Sequence, residues 1–310
     1  MIHDENKARA VEWLKVCEAG CCKGSLELYW EAVSNFLQYI GEKPLSTVNT
    51  VDIAHWLVSL KRDDDRSNNG ARFLLGRVKS FLLYLEDEGT IPPRQILWRR
   101  IPRIPKVLPD MACFTEDEYR RTLAVARNPE PLPKIASKGP GPQPFKPWIS
   151  SLLVVGWNTG ARISDAAGLR WEDVDFEAGT VTLHPQKRKR VGQTIVLPMT
   201  EELRAELERL RAGQNGSPFP HVLPEAAGYY GDRRLRGWLH ALCGRAGLSP
   251  KHRFHSLRHG FATRLLNNGV DSLTVSAMTG QSLMVLQRYV HVSLDAKRAA
   301  LNAYAPSPKR

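Results

Sequence analysis

His255-Ser256-Leu257-Arg258-His259 is the stretch on which the reading of this chain turns. It sets an imidazole and a guanidinium three positions apart at the start of a helix marked by Leu257, Phe261 and Leu265, so both side chains share a face. Further on, Arg288-Tyr289 adds a phenol; upstream, Thr159-Gly160-Ala161-Arg162 adds a second guanidinium. Two arginines, a histidine and a tyrosine are the parts needed to hold a phosphodiester and attack it without a metal.

The remaining composition suits such a partner. Lys plus Arg number 44 against 32 for Asp plus Glu, a formal net charge of +12 that favours a polyanion. An acidic membrane surface would also suit the charge, but no basic amphipathic helix or lipidation motif supports one. The polar start Met1-Ile2-His3-Asp4-Glu5 predicts no signal peptide. The apolar run around Ile149 to Trp157 falls far short of the roughly 20 residues that span a membrane. Cys17, Cys21, Cys22, Cys113 and Cys243 lack metal-type pair spacing and predict reduced thiols in a cytoplasmic protein.

With 310 residues the chain is long enough for two domains. Residues 1–100 read as a helical bundle. One stripe is Val33, Phe36, Leu37 and Ile40 with Ser25 as N-cap; a second is Ile53, Leu57 and Leu60 behind Thr50. A third, Leu74, Val78, Phe81, Leu82 and Leu85, is ended by Gly89 and blocked by Pro92-Pro93, and a short helix with Val11 and Leu14 precedes them all. Residues 101–110 close a proline-punctuated basic stretch beginning at Trp98, which is either a solvated linker or a strand laid along phosphates.

The second domain, 111–310, opens with Thr115 and Glu118 as a capping box. A long loop from Arg127 to Lys146, an apolar helix from Trp148 to Trp157, and paired strands Thr180–Leu183 and Thr194–Leu197 follow. Helices resume with Leu203, Leu207 and Leu210, then Leu235, Trp238, Leu239 and Leu242. The expected class is mainly α with one small antiparallel β-sheet.

Each candidate side chain has a plainer explanation. Arg162, between a glycine stop and the helix of Ile163, Ala166 and Leu169, suits an anion, or else pairs with Asp165 or Asp173. The intervening Arg258 would repel a cation from His255 and His259, which favours the anion over zinc. Gln186-Lys187-Arg188-Lys189-Arg190 is either a solvated charge run, a nuclear-localisation signal, or a hairpin tip carrying a general acid, Lys187 first and Lys189 second. Tyr289 alone would read as core; beside arginines its phenol, of ordinary pKa about 10, becomes a better nucleophile because positive charge favours phenolate.

The ordered set Thr159-Gly160-x-Arg162, basic hairpin, His255-x-x-Arg258-His259, Gly280 and Arg288-Tyr289 resembles the tyrosine recombinases, phage integrase and Xer-like, over most of the chain. The resemblance implies an N-terminal core-binding domain and a C-terminal catalytic domain clamping double-stranded DNA recombination sites. It also implies that Arg162 and Arg258 hold the non-bridging oxygens of the scissile phosphate, that Lys187 is the general acid, and that His255 assists proton transfer. Tyr289 would then form a 3′-phosphotyrosine with no cofactor, metal, ATP or small-molecule substrate, in a tetramer assembled on DNA.

Two positions depart from the family pattern. Asp165 stands where glutamate is usual, and Gln281 stands where histidine or tryptophan donates to the phosphate. Losing such a donor costs about 10² to 10³ in rate; a glutamine amide still donates, so cleavage is expected to be retained but slower. The alternatives are a non-cleaving DNA-binding protein of the same fold and a topoisomerase-like nicking and relaxing enzyme.

Overall fold

The three apolar stripes of the first hundred residues become the buried faces of three helices, and a fourth helix precedes them. In the computed structural model, which describes residues 3–62, 65–107, 112–128, 146–185, 194–214, 219–229, 233–287 and 289, the chain divides into two compact units, Met1–Pro109 and Asp110–Arg310. The first unit contains α1 (Asp4–Glu18), α2 (Lys23–Ile40), α3 (Thr50–Arg62) and α4 (Asn68–Asp87). Its core centres on Trp13, Phe36, Trp56 and Phe81, with the Phe36 and Trp56 rings edge-on at 5.2 Å. Trp56 satisfies its indole N–H on Asn35 Oδ1 at 2.9 Å, which lets so large a ring be fully buried.

Two local expectations are corrected here. Cys22, not Ser25, is the N-cap of α2; Ser25 lies in the first turn with its Oγ 3.3 Å from Cys22 Sγ. In α1 the buried face is Asn6, Ala10 and Trp13, while Val11 is 40% exposed. Asn6 sets that phase: its amide donates to the Lys43 carbonyl and its Oδ1 accepts from Leu45 N–H, tying the helix to the α2–α3 connection.

The basic stretch after α4 is not free. Ile101 and Ile104 are buried in the same core, Arg72 Nη1 donates to the Ile104 carbonyl at 2.6 Å, and Asn69 exchanges two hydrogen bonds with the Val107 backbone. Arg99, Arg100, Arg103 and Lys106 are each exposed to solvent. Burial of the two isoleucines stabilises this arrangement by about 1.5–3 kcal/mol each.

In the second unit α5 (Glu116–Arg127) starts with the Thr115–Glu118 capping box, both reciprocal bonds being made. Then comes α6 (Trp148–Thr159), apolar on nearly every side and accordingly buried almost throughout. After α7 (Ile163–Ala167), β1 (Val174–Asp175), β2 (Thr180–Leu183) and β3 (Ile195–Pro198) form one antiparallel sheet in that order, with Thr180 opposite Pro198 and Leu183 opposite Ile195. Val181, Leu183, Ile195 and Leu197 point inward by strand alternation. The two-residue β1 had no sequence signal. The remaining helices are α8 (Glu201–Gly213), α9 (Pro224–Tyr229), α10 (Arg233–Arg245), α11 (Phe254–Asn267), α12 (Ser272–Thr279) and α13 (Leu283–Leu286). This is the expected class, mainly helical with one small antiparallel sheet. No helix among the described residues is long and apolar enough to cross a membrane.

Candidate active site

Two helices of the second unit end in the same way. At the end of α6, Thr159 Oγ1 donates to the Val155 carbonyl at 2.6 Å and accepts from Ala161 N–H at 3.2 Å. At the end of α12, Thr279 Oγ1 donates to the Val275 carbonyl at 2.7 Å and accepts from Gln281 N–H at 3.2 Å. The next residue in each is a left-handed glycine, Gly160 at φ 60° and Gly280 at φ 62°. Another residue would be strained at either place, and a Cβ at Gly160 would also lie 2.6 Å from the Phe261 ring of α11.

Arg258 joins these twin turns. From α11 its Nη1 donates to the Gly160 carbonyl at 2.8 Å and its Nη2 to the Thr279 carbonyl. The residue is 2% exposed, so these are charge-assisted bonds in a desolvated setting, worth about 1.5–3 kcal/mol each. The planar guanidinium thus fixes the two turns that present Arg162 and Gln281.

Arg162 occupies the N-cap position of α7 in extended conformation. Its Nη1 lies 3.6 Å from Asp165 Oδ2, too long for a hydrogen bond but close enough for strong attraction to a buried carboxylate. The pairing weighed from sequence is therefore made with Asp165. Asp173, the other candidate partner, instead meets His184 Nε2 at 2.7 Å. Gln281 is 8% exposed; its carbonyl accepts from Ser276 Oγ at 2.6 Å, while its Oε1 is buried without a hydrogen-bond partner.

One position beyond Arg258, His259 reaches in another direction. Its Nδ1 is hydrogen-bonded to the hydroxyl of Tyr289, and the two ring centroids are 5.3 Å apart. Tyr289 is only 3% exposed and packs with Ala262, Val275 and Leu286. His255 is exposed, and its ring meets that of His259 edge-on at 4.5 Å. The histidine in contact with the phenol is thus His259, while His255 stands on the solvent side of it. His259 was missed as a partner of Tyr289 because adjacent histidines at i and i+4 give no sign of which one a distant tyrosine will meet. The available signal was that a tyrosine in an apolar helix end needs a buried partner for its hydroxyl. Lys187, Lys189 and Arg288 lie outside the described residues.

Residues 113–295 match the model of the phage integrase family. This chain belongs to that family, the tyrosine recombinases. The tyrosine recombinase XerC of Oceanobacillus iheyensis is 27% identical over 275 residues, covering 87% of this chain and 85% of that protein. XerC of Brucella melitensis is 28% identical over 314 residues, covering 93% and 90%. Among solved structures, a lambda integrase dimer bound to a COC′ core site superposes with a TM-score of 0.69 at 17% identity over 93% of this chain and 95% of that one. The Tn1549 transposon integrase in complex with a circular intermediate DNA gives 0.72 at 16% identity over 98% and 100%. At such identity these two likenesses show the fold.

In this tyrosine recombinase the end of α6 is further held from behind. Tyr119 stacks on Trp157 with ring centroids 4.4 Å apart and donates to Glu202 at 3.1 Å; burial, reinforced by that carboxylate, pushes its hydroxyl above the ordinary range. Asn158 donates to the other Glu202 oxygen at 3.1 Å and accepts from Thr200. Arg264 of α11 lies 3.3 Å over the Trp157 ring and donates to the Trp157 carbonyl; burial lowers its guanidinium pKa. These contacts rigidify the element that carries the Thr159-Gly160 turn, so the position of Arg162 is set by packing on two sides.

Proposed function

We propose that this chain is a site-specific DNA recombinase that cleaves and rejoins DNA strands through a 3′-phosphotyrosine intermediate, acting in the cytoplasm as a tetramer on double-stranded recombination sites. The observation that carries the proposal is the division of labour on α11. Arg258 binds the turns that present Arg162 and Gln281, and the next residue binds the hydroxyl of Tyr289.

In this mechanism Arg162 and Arg258 hold the non-bridging oxygens of the scissile phosphate and stabilise the charge that develops there. Gln281 supplies a neutral amide donor where relatives of the pattern use a ring N–H. Tyr289 attacks phosphorus, Lys187 protonates the departing 5′ oxygen, and His255 assists proton transfer from the solvent side. The phosphotyrosine ester retains the bond energy, so rejoining needs no nucleotide. With Tyr289 at 3% exposure, attack requires the α13 segment to give up its packing on Ala262 and Val275.

The same burial favours the second reading, a non-cleaving DNA-binding relative. The two separate on a nicked suicide duplex. A covalent protein–DNA adduct that vanishes in Tyr289→Phe supports cleavage; stable binding with no adduct supports the binder. The interspersed arginines and lysines also predict binding that weakens steeply with salt, as counterions released from phosphates require.

A further inference from the structure

We infer that Asp173 and His184 are positioning residues for the general acid, their pairing fixing the direction in which the chain leaves β2 toward Lys187. The inference rests on the reading of Lys187 as the group that protonates the departing 5′ oxygen, and it names what holds that acid in place.

Three observations carry it. The first is where the ladder stops. Among the described residues, Leu183 opposite Ile195 is the last pair between β2 and β3, one residue before His184. The second is that two other anchors take over at once. His184 Nε2 lies 2.7 Å from Oδ1 of Asp173, the residue just ahead of β1. Pro185 is buried, and its ring restricts His184 to extended backbone. The imidazole is half exposed and the Asp173 carboxylate is nearly buried, so a fixed acid holds a surface histidine.

The third is placement. One cavity of about 20 Å³, room for a single water, is lined by Asp165, Asp173, Thr182 and His184 together. Asp165 is the carboxylate that attracts Arg162, so the anchor adjoins the side of the site that is to hold phosphate. Lys187 follows His184 by three residues, a reach of about 10 Å in extended chain. Over so short a span the starting point and direction decide where an ammonium arrives, and a misplacement of about 1 Å costs on the order of 10²-fold.

In the step this pair serves, Tyr289 Oη bonds to phosphorus as the bond from phosphorus to the 5′ oxygen breaks. The 5′ oxygen takes its proton from Lys187, and the phenol proton leaves separately by the transfer that His255 assists. Asp173 and His184 exchange no proton with the substrate.

The test uses the full-length chain and a nicked suicide duplex of its own site, selected by binding from random-sequence DNA. Two versions are made, one with the normal 5′ oxygen at the scissile bond and one with sulfur in its place. A thiolate leaves without protonation, so the sulfur substrate needs no general acid. His184→Ala is expected to form adduct about 10 to 10²-fold more slowly on the oxygen substrate and at the wild-type rate on the sulfur one. His184→Gln keeps a donor for Asp173 but cannot titrate, and should recover most of the oxygen rate. Asp173→Ala should repeat the pattern of His184→Ala, and the double variant should be no slower than either single one.

Equal slowing of His184→Ala on both substrates, which a general loosening of the fold would produce, overturns the inference, as does an unchanged oxygen rate. A glutamine variant as slow as the alanine one overturns it too, because His184 would then supply the proton itself. Lys187→Ala checks the underlying reading and is expected to be slow on the oxygen substrate alone. A normal oxygen rate in that variant would overturn Lys187 as the acid, a result separate from any defect at His184.

Discussion

Arg258 Nη1 donates to the Gly160 carbonyl at 2.8 Å, joining residues 98 positions apart in sequence. With Nη2 on the Thr279 carbonyl, one buried side chain closes both turns of the candidate site. A lysine keeps the charge but cannot fork in one plane. Arg258→Lys is expected to lower the unfolding free energy by about 2 kcal/mol, the worth of one charge-assisted hydrogen bond. It should also slow adduct formation by about 10² to 10³-fold through misplaced oxyanion contacts. Denaturant unfolding and single-turnover cleavage read the two effects, and a lysine variant that matches the wild type in both contradicts the role given to the clamp.

Gln281 invites the opposite kind of change. Its Oε1 is buried without a hydrogen-bond partner, a local cost of about 1–3 kcal/mol. Gln281→His replaces the amide with a ring N–H donor and is expected to raise the cleavage rate by about tenfold while leaving DNA affinity in place. Parallel measurement of adduct formation and equilibrium binding checks this. A slower histidine variant would mean that the glutamine is fitted to this particular site.

Acid stability provides a test away from the chemistry. Glu206 is 7% exposed, and its Oε1 lies 2.5 Å from Arg209 Nη2. Burial pushes its carboxyl up, but hydrogen bonds from Arg209 and Ser151 outweigh that effect and hold it below the ordinary 4.5. A carboxyl depressed in the folded state stabilises above its unfolded pKa and loses that contribution as pH falls through the folded value. The stability gap between wild type and Glu206→Gln should be full near neutrality and close below about pH 4.5. Thermal melts across pH 2 to 7 follow it; a gap independent of pH would contradict the ion pair.

Much of this was legible in the residues, and the exceptions have physical reasons. The α4 stripe was readable because five apolar residues recur at helical spacing before a glycine and two prolines. The docking of Ile101 and Ile104 was hidden because Pro102 and Arg103 between them signal an exposed linker, while burial depends on what α4 offers from elsewhere in the chain. Arg162 announced its helix start through the preceding glycine. Its partner Asp165 could be named but not chosen over Asp173, since sheet geometry gives Asp173 to His184. The repeated Thr-Gly pairs at 159–160 and 279–280 were visible, yet nothing local says that one arginine will bind both. The Tyr289 partner required folding across 30 residues, and only coordinates distinguish His259 from His255.

Tyr289, buried against His259, becomes the group that takes up the DNA strand. Peptide mapping of the adduct trapped on a nicked suicide duplex tests it most directly. A single modified residue, Tyr289, linked to the 3′ phosphate is expected, and no adduct in Tyr289→Phe at full DNA occupancy. A modified residue elsewhere, or an adduct that survives the phenylalanine substitution, would contradict it.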